Sequence, residues 1–527
     1  MQIFTVDERH RIVIVGGGAG GLELATRLGN TLGRRNKAIV TLLDYSPTHV
    51  WKPLLHEVAA GTLEPLDEAL EYLGHSADNH YRFFPGRMNG LDRGKKEIRL
   101  ESVLNEKGEE IVSGQCIGYD TLVMAVGSLS NDFGIKGVAE HCLFIDTQAE
   151  AEQFHRQFME AYLRAQNQPK SSQRLEIVIV GGGATGIELS AELHRIVQAL
   201  CEINAYRYDG GRPAEVGICI IEAAERLLPG LPPYLSAATS RQLEKLGIAV
   251  LTGERVLEVT REGLKTGKIP HVPAHIKVWA AGVKAPAFLL ELDGLETNAI
   301  NQLIVRRTLQ TSLDDNIFVI GDCAACPQPH SNRNVPPTAQ AAHQEASLTY
   351  TNILRRLHGK KLLEYSYRDY GCLVTFGKYS TVGTLMGNLL GQVFIEGFMA
   401  RLVYLSLYKM HQAALFGAFR TALLAVVDTF THGSWLNYGK IDARCARAPR
   451  GFASGPGYPL YAIMDAIVDQ YSPVLLDFQL RLERIEADIF ASRFNHETLV
   501  KLYELKREML LLQTAAVPLL DICNALT

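Results

Sequence analysis

Two copies of one glycine spacing constrain this chain more than any other feature. Gly16, Gly18 and Gly21 lie in GGGAGG directly after the apolar run RIVIV at 11–15, and Gly181, Gly183 and Gly186 lie in GGGATG after IVIV at 177–180. Each cluster is followed by a helical pattern, LELATRLG or IELSAELHRI, and then by a strand pattern ending in an acid, Asp44 or Glu222. In such a unit the first glycine makes the turn, the second lets the backbone approach a pyrophosphate, and the third lets the helix pack closely on the strand. Gly20 belongs to the same cradle, and Ala25 and Ser190 keep the packing small. The helix N-terminus then offers unpaired amides and a positive dipole end to the diphosphate. One copy alone could be a glycine-rich turn. Two copies in the same context predict two dinucleotide sites and an α/β fold with two Rossmann-like domains. The acid at the ribose position favours a free 2′-hydroxyl, hence NADH over NADPH. The wide gap before Glu222 predicts an inserted loop or helix extension at 199–213.

Two dinucleotide sites imply one fixed FAD and one exchangeable NADH, because a flavin takes hydride from a nicotinamide and passes electrons on. An acceptor is then required. The segment 308–322 ends in Gly321 and Asp322, which resembles the Gly-Asp signature over the ribityl chain of FAD in glutathione-reductase-like two-domain flavoproteins. TLVMAVGS (121–128) and IKVWAAG (276–282) end at Gly127 and Gly282 and look like the crossover strands of that superfamily. The expected division is an FAD domain at 1–150 and 303–395, interrupted by an NADH domain at 151–302. Lys plus Arg 53 against Asp plus Glu 57 leaves a net charge of −4, which provides no broad positive field for nucleic acid. Nine dispersed cysteines and an N-terminal apolar run far too short for a signal peptide point to the cytosol.

HVWKPLLHEVAAGTL (49–63), YDTLVMAVGS, IVGGGATGIELSAELH, VWAAGVKAP, NIFVIGDCAACP and PPTAQAAHQ resemble the type II, non-proton-pumping NADH dehydrogenases, NADH:quinone oxidoreductases of bacterial membranes, from about residue 10 to about 430. The resemblance implies that Lys52 and Pro53 line the flavin, Asp44 meets its adenosine ribose, and Asp322 meets its ribityl region. It implies that Glu188 sits near nicotinamide and flavin, and that Gln340 and Gln344 face a quinone, ubiquinone or menaquinone. The glutamines are four apart, hence on one helix face, and an amide can donate to a quinone carbonyl without bringing charge. Without the resemblance, the pair reads as polar side chains bonded to backbone. Lys378 could stabilise an anion at the site or be a surface hairpin lysine.

The sequence also admits other chemistries. Cys323 and Cys326 form a CxxC that invites a soluble NADH-dependent disulfide reductase, although disulfide reductases of the superfamily carry their pair elsewhere. A non-catalytic NADH- and flavin-sensing fusion is a second alternative. Sulfide:quinone oxidoreductases share the fold but need a cysteine pair flanking the flavin.

Residues 397–450 carry seven Lys or Arg against two acids. Within them, 402–427 is long enough to span a bilayer, but Lys409 and Arg420, at roughly 2.5–3.5 kcal/mol each, nearly cancel the aliphatic gain. Amphipathic helices at 396–432 lying in the membrane interface are expected, which makes the protein peripheral on the cytoplasmic face of a bacterial inner membrane. After a linker at 433–457, Leu475, Phe478, Leu482, Ile485 and Ile489 step as heptads, as do Leu502, Leu505, Met509, Leu512, Ala516 and Leu519. They predict a helical hairpin at 458–527, which resembles the stalk helices of the CorA magnesium transporters without their membrane spans and suits homo-oligomerisation.

Overall fold

The computed structural model describes residues 9–63, 70–104, 110–166, 174–205, 214–329, 333–376, 381–387 and 391–396, with Leu415, Arg481, Leu482, Ile485, Lys501, Leu502, Leu505, Lys506 and Met509. The chain forms two compact units, Met1–Leu70 with Asn79–Tyr408, and Glu71–Asp78 with Lys409–Thr527.

In the first unit the elements that build the site are, in chain order, β1 (His10–Val15), α1 (Ala19–Leu28), β2 (Ala38–Asp44), α2 (Leu55–Ala60), β3 (Arg82–Pro85), β4 (Thr121–Met124), α3 (Gln148–Gln166), β5 (Leu175–Val180), α4 (Ala184–Ala205), β6 (Val216–Glu222), β7 (Ala249–Thr252), β8 (Ile276–Trp279), β9 (Ile317–Val319), α5 (Ala339–Leu357) and β10 (Gly371–Thr375). One parallel sheet runs β9-β4-β1-β2-β3 and a second runs β7-β6-β5-β8. Ile12, Ile14, Ile177 and Ile179 are fully buried, and Val13, Val15, Val178 and Val180 are nearly so. Parallel strands are covered on both faces, which is why RIVIV and IVIV read as continuous apolar runs instead of alternating. The chain enters the first sheet, leaves after β4 to build the second, and returns to place β9 beside β4. β10 opens a three-stranded antiparallel sheet with Thr381–Gly387 and Gly391–Glu396.

Phe154, Phe158 and Tyr162 recur every four residues and so share one face of α3. All three are buried, and the two phenylalanine rings stack 6.4 Å apart. Leu55, Val58 and Ala59 of α2 join them in one core with Ile187 and Leu189 of α4. This packing carries α2, a short helix from the first glycine unit, against the fingerprint helix of the second. A small change here would be felt: truncating Phe to Ala in such a core costs about 3–5 kcal/mol.

In the second unit, Tyr72–Asp78 is helical and His75 Nε2 donates to the Leu415 carbonyl at 3.4 Å. Leu482, Ile485, Leu502, Leu505 and Met509 are helical, with Ile485 and Leu505 buried. The rest of the expected anchor, linker and hairpin lies outside the described residues. Among the described residues no helix is long and apolar enough to cross a membrane.

α1 and α5 are pinned by a polar cluster. His343 Nδ1 donates to buried Glu23 at 2.6 Å, while Arg27 reaches Glu23 at 3.4 Å, donates to Ser347 Oγ at 2.7 Å and stacks over Tyr350. The hydrogen bond to Glu23 raises the His343 pKa above its ordinary value, against a smaller lowering by burial. Its stabilisation is therefore complete below about pH 6.5, the unfolded value, and is lost as pH rises through the higher folded value. The His343 side chain is 48% exposed, so solvent screening keeps the effect modest. In urea titrations, His343→Gln should lower the unfolding midpoint more at pH 6 than at pH 9; an equal loss at both would show that the charge plays no part.

Candidate active site

In an open parallel sheet, ligands bind beyond the strand C-termini where the strand order reverses. The first sheet reverses between β1 and β4, and the second between β5 and β8. Gly16 and Gly127 follow the first pair of strands, and Gly181 and Gly282 the second.

The two glycine turns make the same close contacts. Gly16 and Gly181 have φ of +103° and +120°, and a Cβ at either would overlap the neighbouring carbonyl, Ala125 O or Ala280 O. A Cβ at Gly21 or Gly186 would overlap the carbonyl oxygen of Gly16 or Gly181, so only glycine lets the helix start there. At Gly18 and Gly183, by contrast, an added Cβ meets nothing within 4 Å. That open space borders the helix N-termini and fits a pyrophosphate in each unit. Gly20 lies elsewhere, facing the Ala342 carbonyl of α5, so its small size serves helix packing. The acids also match. Asp44 accepts from the Gly17 and Ser46 amides at 2.6 and 2.8 Å, and Glu222 from the Gly182 and Ala224 amides at 2.7 Å each. Burial pushes the Asp44 carboxyl up, and those amides pull it part of the way back.

Beyond the switch points the two halves are tied by an antiparallel ribbon, Leu129–Ser130 paired with Val283–Lys284. Next to it, Lys52 Nζ donates to the Ser128 carbonyl at 2.8 Å and lies 3.8 Å from Asp146. Ser128 Oγ donates to Asp322 at 2.7 Å, and Gln302 Nε2 donates to the Asp322 carbonyl at 2.8 Å. Pro53 is exposed in the turn after Lys52. Gly321, at φ +72°, donates its amide to Glu345 at 2.6 Å. Glu345 is 2% exposed, and burial pushes its carboxyl up to about 8. The sequence reading missed this residue. It stands in the buried stripe of α5 with Ala341, Ala342, Ala346 and Thr349, and a carboxyl in an otherwise small, uncharged helix face was the available signal.

Glu188 lies inside the second half of the site. It accepts from the Thr375 amide of β10 at 3.1 Å, and burial pushes it up to about 8. Gln340 and Gln344 both reach the segment at 368–371. Gln340 Nε2 donates to Asp369 Oδ1 and the Gly371 carbonyl at 3.3 Å each, and Gln344 Nε2 to the Arg368 carbonyl at 2.8 Å. Their carbonyl oxygens accept from the Tyr370 and Arg368 amides. Lys378 lies outside the described residues.

Two glycine turns of one geometry at two sheet switch points, bridged by a crossover ribbon, are the architecture of a two-domain FAD/NAD(P)-binding oxidoreductase fold. The family described as pyridine nucleotide-disulphide oxidoreductase matches residues 10–346. The type II NADH:quinone oxidoreductase of Haemophilus influenzae is 40% identical over 433 residues, covering 79% of this chain and 96% of that protein. Its counterpart in Staphylococcus aureus is 28% identical, covering 72% and 91%. Among solved structures, NDH2 of Plasmodium falciparum in complex with NADH superposes with a TM-score of 0.66 at 19% identity, covering 81% of this chain and 99% of that one. The sulfide:quinone oxidoreductase of Aquifex aeolicus follows at 0.61 and 18%, covering 79% and 95%. The chain belongs to the type II NADH:quinone oxidoreductases, and it is an FAD-dependent oxidoreductase.

The glycine geometry separates folding from cofactor binding. Gly18→Ala should fold normally, because its Cβ enters open space at φ −64°, yet purify without flavin colour. Gly21→Ala should fail to yield folded protein. Circular dichroism and flavin absorbance of the two variants measure this, and a yellow Gly18→Ala would place the pyrophosphate elsewhere.

Proposed function

We propose that the protein oxidises NADH at the second glycine unit and delivers two electrons through FAD in the first unit to a quinone at a bacterial membrane surface, without pumping protons. The repeated cradle carries this reading: two turns of the same geometry, each followed by an acid that holds the turn through its own amides, lie in one compact unit. When bound, FAD supplies a relay between a hydride donor and a second acceptor. The residues of the chain bind and orient. Gly16 and Gly18 with the α1 N-terminus would hold its diphosphate, Asp44 its ribose, and Lys52 with Asp322 the region beside the ribbon. Gly181, Gly183, Gly186 and Glu222 would do the same for NADH. Ser128 and Gln302 fix Asp322 from two sides.

The thiols favour an acceptor outside the protein. Cys323 and Cys326 are buried free thiols, and burial pushes each up to about 12. Neither provides the thiolate that disulfide exchange requires. The relatives named as NADH:quinone oxidoreductases supply the acceptor class, and the basic, apolar stretch at 397–450 supplies a means of reaching the bilayer. At the acceptor side, the two bonds from Gln340 Nε2 are long for N–H···O contacts, and a quinone carbonyl could replace them at little loss.

Anaerobic NADH added to the yellow holoprotein in lipid should bleach the flavin, and a soluble quinone should restore the colour. Bleaching without recovery would refute the quinone assignment. Gln340→Leu should slow the recovery by about tenfold, as expected for one lost hydrogen bond to the reacting group, and leave the bleaching rate within about twofold.

A further inference from the structure

On the reading that NADH binds the second glycine unit, the strand order of its sheet places the two halves of the molecule. Glu222 ends β6, the open turn at Gly183 lies beyond β5, and β8 flanks β5 on the side away from β6. With the adenosine ribose at Glu222 and the pyrophosphate over β5, the nicotinamide half runs on toward β8, because neighbouring strands are about 4.8 Å apart. The chain just beyond β8 is therefore where the nicotinamide ring is met.

Phe133 stands there. A Cβ added to Gly282 would lie 2.5 Å from Phe133 Cζ, so the ring sits directly against that glycine. Gly282 is itself close to the turn. The Ala280 carbonyl, two residues earlier, is the one that a Cβ at Gly181 would overlap, and two residues span at most about 7 Å. The first unit supplies the comparison. Gly127 bears the same relation to Ala125 and Gly16, with φ of +69° against +65° at Gly282, yet a Cβ at Gly127 meets nothing within 4 Å. One switch point is open, and its counterpart is faced by an aromatic ring. We infer that Phe133 is the platform on which the nicotinamide ring of NADH packs.

The ring is held out and held firmly. Phe133 is 60% exposed, and its φ of +51° lies in the left-handed region that bulky residues rarely adopt. Its amide donates to Asn131 Oδ1 at 2.9 Å, and the Asn131 amide donates to the Gly282 carbonyl at 3.3 Å. Buried Trp279, the last residue of β8, donates from Nε1 to the Asn131 carbonyl at 2.7 Å. The strand that faces the nicotinamide half thus also anchors the segment that bears the ring. Asp132, next to Phe133, is paired with Lys284 at 2.6 Å, which neutralises the adjoining carboxylate. A ring that served only to secure the crossover would have its faces covered by the crossover, whereas this one leaves most of its surface bare. Such a flat apolar face suits an exchangeable ligand, since stacking contributes affinity without a directional bond to break at each release.

Calorimetric titration of the FAD-loaded enzyme with NAD+ and with ADP-ribose tests the platform. ADP-ribose keeps the adenosine, the diphosphate and the second ribose but has no nicotinamide. Phe133→Ala should weaken NAD+ binding by about tenfold, the effect of one lost aromatic stack, and leave ADP-ribose within about twofold of wild type. That retained ADP-ribose binding also reports a folded second unit. Phe133→Tyr, which keeps the flat face, should bind NAD+ within about twofold of wild type. Unchanged NAD+ affinity in Phe133→Ala, or equal weakening of both ligands, would overturn the platform and leave NADH at the second unit. Wild-type binding of both ligands in Gly183→Val, whose side chain enters the open space at the turn, would overturn the assignment of NADH to that unit and the platform with it.

Discussion

At Gly21 and Gly186 there is no room for one additional carbon atom, because a Cβ would overlap the carbonyl oxygen of the glycine five residues earlier. That contact fixes where each fingerprint helix starts relative to its strand. Once the helix start is fixed, its free amides face the switch point of the sheet, and the acid at the end of the second strand can close on the turn. Asp44 and Glu222 do so through equivalent amides, Gly17 and Gly182, at nearly equal lengths. A carboxylate already held by two amides loses little freedom when a ribose hydroxyl approaches it. The steric constraint and the hydrogen bond thus build each site before any cofactor arrives, which is the sense in which a binding site is preorganised.

A second theme is the use of burial to keep charge away from the centre of the molecule. Glu188 and Glu345 come from different fingerprint halves, yet burial pushes both up to about 8. Each retains one backbone amide as a donor, Thr375 or Gly321, which tempers the shift without reversing it. A carboxyl raised in this way binds its proton more tightly folded than unfolded. It therefore draws down stability as pH rises from about 4.5, the unfolded value, toward 8. Stability alone would favour an amide or an apolar residue at either position. A neutral acid, by contrast, can both donate and accept a proton near pH 7, and Glu188 stands beside an imidazole that burial also leaves uncharged.

Legibility in the sequence followed distance along the chain. The strands, the glycine turns and the terminal acids of both units could be read because each is specified within about 45 residues by local sterics and apolar runs. The return of β9 to the first sheet was readable only as a Gly-Asp resemblance, since no pattern around residue 317 states which strand it will join. The neighbours of Glu188 were out of reach: His56 is local to α2, but its place 3.8 Å from Glu188 depends on α2 packing against α3 and α4 through Leu55, Val58 and Phe154. Gln340 and Gln344 show the opposite limit. Their shared face on α5 was evident from spacing, whereas their clamp on the segment at 368–371 required the fold.

The same distinction bears on the CxxC. Spacing alone offers a dithiol, and nothing in four residues says whether the sulfurs meet solvent. In the fold, Cys323 follows Gly321 and Asp322 into the core, where its Sγ lies against the carbonyl oxygens of Met124 and Ile320, and Cys326 is equally enclosed. Burial outweighs the Val126 and Gly127 amides at Cys323 and the Arg307 charge near Cys326, so neither anion is favoured. The pair therefore serves the packing of the strand that presents Asp322. With the thiols enclosed, an acceptor has to come to the protein, and the residues that could receive one, Gln340 and Gln344, stand in the first two turns of α5, Gln344 directly before the buried Glu345 that holds the Gly321 amide.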